Sequence, residues 1–188
     1  MARKASDAVA PVRRAVSVSW SPEAAYERFT QEFGTWWPKS SLSIGGKRVT
    51  RVVFEPFVGG RIYEEHHDGT RFLWGKVITL EPPMRLVFTF HSSRDESDAQ
   101  TVEVSFVPDG TGTRVELVST GWERMGPEAR RTHGGFQLSW KAALDGYAGR
   151  LSGMRLFFYL MSIGIDLTGG RKSFVRNSLS KMENRRTN

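Results

Sequence analysis

The chain has 188 residues and no cysteine. That excludes disulfide staples, thiolate nucleophiles and cysteine metal ligands. It has no run of 18 apolar residues, so no helix is expected to span a membrane. The opening MARKASDAVAPVRR lacks the apolar core of a secretory signal, and a cytoplasmic protein is expected. Histidine is scarce, at four. His66 and His67 are adjacent, so on a strand they face opposite ways and cannot share one ion. No His-Glu-x-x-His helix, Gly-x-Ser-x-Gly elbow or phosphate-binding Gly-Lys-Ser/Thr is present. The sequence therefore assigns no catalytic residue, metal ligand or cofactor.

What is there begins with charge. The formal net charge is +7, with 39% hydrophobic and 25% charged residues, the balance of a globular protein. The basic excess sits at the ends: residues 1–14 carry +3 and residues 152–188 carry +5, while 15–151 carry −1. A neutral body without a recognition motif disfavours nucleic acid as a partner.

Period-two alternation in RRAVSVSWS reads as a strand. SPEAAYERFTQEFG reads as a short amphipathic helix, with Ser21 as cap, Pro22 in the first turn, and Ala25, Phe29 and Phe33 on one face. Gly34 is expected to end it. Trp36 and Trp37 follow side by side, and adjacent side chains on a regular element diverge, so Trp37 is expected to turn into the cavity mouth and Trp36 to cover the short helix near Phe33. Further strands are KRVTRVVFEP, VGGRIYEEHHDGT with an Asp68-Gly69 turn, RFLWGKVITLEPP with a bulge at Gly75, MRLVFTFHSS, and a hairpin through QTVEVSFVPDGTGTRVELVST. A long helix from about Pro127 to Leu151 repeats Phe136, Trp140, Leu144, Tyr147 and Leu151 on one face. One helix with an aromatic stripe and about six antiparallel strands call for packing the stripe on the sheet.

FEPFVGGRIYE, WGKV, LEPPMRLVFTF, THGGFQLSWKAALDGYAGRL and SVSWSPEAAYERFTQEFGTWWP together resemble the bacterial homologues of the heat-shock-protein-90 ATPase activator. These belong to the SRPBCC superfamily, also called START-like or birch-pollen-allergen-like. The resemblance covers about residues 13–151. It implies an α+β helix-grip fold: a curved antiparallel sheet of six to seven strands around a long C-terminal helix, with two small helices near its start. It also implies an internal cavity for hydrophobic or aromatic molecules. Residues 1–12 then form a basic tail, 13–151 the domain, and 152–188 an extension outside the family pattern. The separate N-terminal domain of eukaryotic activators does not precede the first strand, which speaks against direct chaperone activation.

Trp37, Phe54, Trp74, Phe88, Phe90, Trp122, Phe136 and Trp140 are the candidates for the ligand site. Each alone reads as core. As a set they line a cavity only if the resemblance supplies one. Arg61, Glu64 and Lys76 are candidate polar groups at that cavity. Glu64 and His66 share one strand face and could do acid–base work there, although a solvated hairpin end is the simpler reading. His91, beside two serines, is expected at the surface, and His133 in a packing or capping role. Leu156–Leu160, Met161, Ile163, Ile165 and Leu167 make an apolar run, and a basic stretch follows to 186. The extension is expected to dock on the domain or, in a homodimer, on a second subunit, with peripheral membrane contact through 156–186 or a poorly ordered segment as the alternatives. The expected function is non-catalytic binding of a small apolar or aromatic molecule. The alternatives are a co-chaperone-like protein-binding module and a cyclase- or hydrolase-type enzyme.

Overall fold

The structure is a computed structural model that describes residues 9–92 and 94–150. The readings of residues 1–8 and 151–188, including Leu151 on the last helix's stripe, lie outside the described residues. Seven strands form one antiparallel sheet: β1 (Val12–Val18), β2 (Val49–Phe54), β3 (Arg61–His66), β4 (Arg71–Glu81), β5 (Arg85–Phe90), β6 (Gln100–Asp109) and β7 (Gly112–Thr120). The spatial order is β1-β7-β6-β5-β4-β3-β2. Hairpins therefore connect β2 to β7 in sequence, and β1 closes on the far edge with Val12 opposite Ser119. The curled sheet and its long final helix make the expected helix-grip fold. Among the described residues no helix is long and apolar enough to cross a membrane.

Alternation sets the two faces. Along β6, Gln100, Val102, Val104 and Phe106 are buried while their neighbours are not. The same rule turns Val115 and Leu117 inward on β7. Register shifts between Ile62 and Tyr63 and between Val77 and Thr79 flank Gly75, where the sequence predicts a bulge.

Helix α1 (Pro22–Gln31) is capped as read: the Ser21 hydroxyl accepts from the Ala24 N–H at 3.3 Å. Its end is not. Gly34 lies inside a second short helix, α2 (Phe33–Trp36), and the break falls at Glu32. A Cβ at residue 34 would sit 2.3 Å from the Val52 carbonyl oxygen. The glycine is there to seat α2 directly on β2, not to stop a helix. A third short helix, α3 (Lys39–Leu42), and a 3-10 turn at Gly46–Arg48 lead into β2.

The last helix, α4 (Ala129–Tyr147), starts later than expected. A 3-10 segment, Trp122–Glu128, precedes it, with non-helical dihedrals at Gly126. Trp140, Ala142, Ala143, Leu144 and Tyr147 are buried. The Tyr147 hydroxyl donates to the Ala25 carbonyl at 2.7 Å, tying α4 to α1. Burial raises the Tyr147 pKa well above its ordinary value.

Candidate functional site

The inner face of the sheet presents Phe54 from β2, Trp74 from β4, and Phe88 and Phe90 from β5. From α4 come Phe136 and Trp140, and Trp122 comes from the segment before it. Trp37 enters from the end of α2, where its backbone is extended. Trp37 lies 5.0 Å from Trp74 and 6.2 Å from Trp140, ring centre to ring centre. Phe90 lies 5.0 Å from Trp140 and 6.4 Å from Phe136, and Trp122 lies 5.0 Å from Phe136. Phe88 bridges Trp140 at 6.3 Å and Phe54 at 6.0 Å. All eight sequence candidates thus stand in one connected cluster. Seven are at most 5% exposed, and Phe136 is half-buried.

The double tryptophan divides as the sequence suggests, with Trp37 in the aromatic cluster and Trp36 against the short helix near Phe33, and both rings are 5% exposed. Trp36 closes a helical turn and packs on Phe29, Phe33 and Tyr147. Trp37 begins an extended stretch and packs on Trp74, Phe90 and Trp140. The change of backbone conformation between them directs adjacent side chains to two parts of one core. Phe33 stacks on Trp37 at 5.3 Å and 18°. It was legible on the apolar face of the first helix but not as a neighbour of the cluster.

Among the described residues, three indole donors in this cluster have no acceptor: Nε1 of Trp37, Trp74 and Trp140. The fold satisfies other indoles. Trp36 donates to the Arg28 carbonyl at 3.0 Å and Trp122 to the Ser119 carbonyl at 2.9 Å. A buried donor without a partner costs about 1–3 kcal/mol.

The polar candidates separate. Arg61 and Lys76 point outward and are half exposed, paired with Glu55 at 3.0 Å and Glu96 at 2.6 Å. Alternation accounts for Arg61: Ile62 and Glu64 take the inner face of β3, which leaves Arg61, Tyr63 and Glu65 the outer one. On that face Glu65 binds Arg51 and Arg71 together.

Glu64 is 0% exposed and His66 3%, so the solvated hairpin end is overturned. The Glu64 carboxylate accepts the Ile44 N–H at 2.8 Å and the Gly45 N–H at 2.7 Å. His66 Nε2 lies 2.6 Å from its Oε1. The loop after α3 covers both groups so closely that a Cβ on residue 45 would fall 2.1 Å from His66 Nε2. The His66 ring is tilted over Phe72 at 4.6 Å. The hairpin position suggested exposure, and the covering loop, more than fifteen residues earlier in the chain, is what sequence alone did not show.

His91 is likewise buried, at 5% exposure, not at the surface. Its N–H follows β5 to the Trp74 carbonyl, which draws the residue inward. Burial lowers its pKa, opposed in part by the Arg94 carbonyl at Nδ1. His133 packs edge-on against Trp122 and bonds the Ala10 carbonyl at 2.8 Å. Among the described residues no three His, Asp or Glu side chains gather as a metal site. A shallow groove of about 320 Å³ runs along β1 and β7, lined by Arg13, Arg14 and Arg114 among others, on residues other than the eight aromatic candidates.

The family model described as activator of Hsp90 ATPase homolog 1-like protein matches residues 19–149. No curated protein matches the chain significantly. Among solved structures, an anthrahydroquino-gamma-pyrone synthase, Txn09, solved as a complex, is 36% identical, over 77% of this chain and 98% of its own, at a TM-score of 0.51. Protein MLL2253 from Mesorhizobium loti is 20% identical over 75% and 96% of the two chains, with a TM-score of 0.56. The Aha1 dimer from Colwellia psychrerythraea is 15% identical over 77% and 100%, with a TM-score of 0.52. The last two likenesses speak for the fold alone. With the match running from before α1 to the end of α4, the chain belongs to the family of Hsp90 ATPase activator homolog 1-like proteins, within the SRPBCC superfamily.

Proposed function

We propose that this domain binds a small hydrophobic or aromatic molecule between its curved sheet and α4, without turning it over. The lining would be Trp37, Phe54, Trp74, Phe88, Phe90, Trp122, Phe136 and Trp140. The observation that carries the reading is their connection, from separate segments, into one aromatic cluster under the helix. Such a surface favours planar apolar ligands, through dispersion and edge-to-face contacts. The 36% identical relative is named for a polycyclic aromatic product, which supports the same ligand class here. Because seven lining residues are nearly fully buried, entry requires a covering element to move. Half-buried Phe136, on the less buried first half of α4, marks that element. The test is a chemically broad set of apolar probes read by tryptophan fluorescence and thermal shift. Binders that quench fluorescence and raise Tm are expected. Failure across the set would sink the reading.

A second reading, a cyclase- or hydrolase-type enzyme using the same site, has its own support in the buried Glu64–His66 pair on the inner sheet face. It predicts that His66→Gln abolishes turnover of a bound aromatic substrate while leaving its affinity intact. Equal turnover in the variant would remove it.

A further inference from the structure

Three neighbouring indoles in the aromatic cluster leave their polar atoms unserved. Trp37, Trp74 and Trp140 are 5%, 0% and 2% exposed, and each keeps a buried Nε1–H with no partner among the described residues. Indole nitrogen only donates. Gln100, opposite Phe90 on β6 and 1% exposed, spends its amide N–H on the Asp98 carbonyl and leaves Oε1 unpaired. Charge is missing from this inventory. Arg61 and Lys76 face solvent in ion pairs, and the Glu64 oxygens already meet Ile44, Gly45 and His66.

We propose that the three indole N–H groups of Trp37, Trp74 and Trp140 bind the carbonyl oxygens of a planar, uncharged aromatic ketone or quinone. This rests on the ligand-binding reading above and names its ligand class. Donors without acceptors select a ligand rich in acceptors, and the surrounding rings select a flat one. A buried ionic ligand would meet no counter-charge among these groups, and such burial is strongly unfavourable. Gln100 Oε1 accepts from a phenolic hydroxyl where the ligand carries one.

The experiment compares anthracene, anthraquinone and anthracene carboxylate on the full chain. Affinities come from fluorescence, and a nitrogen-15 correlation spectrum reports each indole N–H. Anthraquinone is expected to bind roughly tenfold tighter than anthracene for each hydrogen bond made. It should shift the N–H signals of Trp37, Trp74 and Trp140, and anthracene should not shift them in the same direction. Trp37→Phe and Trp140→Phe should lower the ratio of anthraquinone to anthracene affinity, since the smaller ring weakens both probes but only the quinone loses a hydrogen bond. The wild-type comparison stands if a variant fails to fold. Equal binding of anthracene and anthraquinone without N–H shifts overturns the inference and leaves the ligand-binding reading intact. Tighter binding of the carboxylate overturns the uncharged ligand. Water cross-peaks to the three indoles that persist at saturating anthraquinone also overturn it. Binding of none of the probes overturns both readings together.

Discussion

Glu64 shows how much one buried side chain can organise. Its carboxylate fixes two consecutive backbone amides of the loop that follows Trp37, and it holds His66 as well. Glu64→Ala leaves those donors without their acceptor, and a loss of about 3–5 kcal/mol is expected by chemical denaturation. A loss under about 1 kcal/mol would mean that water serves the loop equally well. His91 supplies a pH prediction. Burial keeps its folded pKa below the unfolded value of about 6.5. On acidification the unfolded chain therefore takes up the proton first. Stability should fall as pH drops through about 6.5 and stop falling, for this group, below the folded pKa. Nearby Glu96 and Asp95 oppose the shift, and Lys76 adds to it. His91→Gln should flatten that part of the stability–pH curve, measured by denaturation across the pH range with an NMR titration of the ring. Tryptophan exposure gives another test. Of the six indoles only Trp20 is half-buried, with Arg28 over its ring at 4.7 Å. Acrylamide should quench that fluorophore and little else, and Trp20→Phe should remove the quenchable fraction.

At the scale of elements, the strands were the legible part. Alternation and turn residues predicted β1 to β7 within a few positions, because one face of each strand is buried and the pattern is local. The helix ends were less legible. Gly34 carries the usual mark of a stop, yet its reason is the Val52 carbonyl, which comes from another element. Gly126 delays α4 for a backbone reason that no periodicity reveals. Helix α4 itself is uneven: its second half holds the buried Trp140, Ala143, Leu144 and Tyr147, while Gly134 and Gly135 are exposed, with open space around them. Each glycine costs the helix about 0.5–1 kcal/mol relative to alanine. Gly134→Ala and Gly135→Ala should each add about that much stability. If the first half of α4 covers the ligand site, the double variant should also slow probe association in stopped-flow fluorescence. Unchanged association would place the entrance elsewhere.

Over the whole molecule, the eight aromatic candidates were legible as a set, because aromatic residues on inner strand positions and one helix stripe must meet. Their unpaired nitrogens were not, since a hydrogen bond depends on what else arrives. Because the cluster is also the core, a bound ligand should stabilise the fold as a unit, by about 2.7 kcal/mol at a concentration a hundredfold above its Kd. Calorimetry should show a single transition that moves to higher temperature, and two separated transitions would contradict a shared core. The pairing of β1 with β7 has a consequence in time. Val18 is made early, and its partner Thr113 is made about 95 residues later. At roughly 5–20 residues per second, the first strand waits on the order of 5–20 s at the ribosome before its neighbour exists. Nascent chains stalled before residue 112 should therefore be open to protease along this strand, and those released after α4 should resist it. Birth of the protein has a vulnerable interval, set by which two strands share an edge.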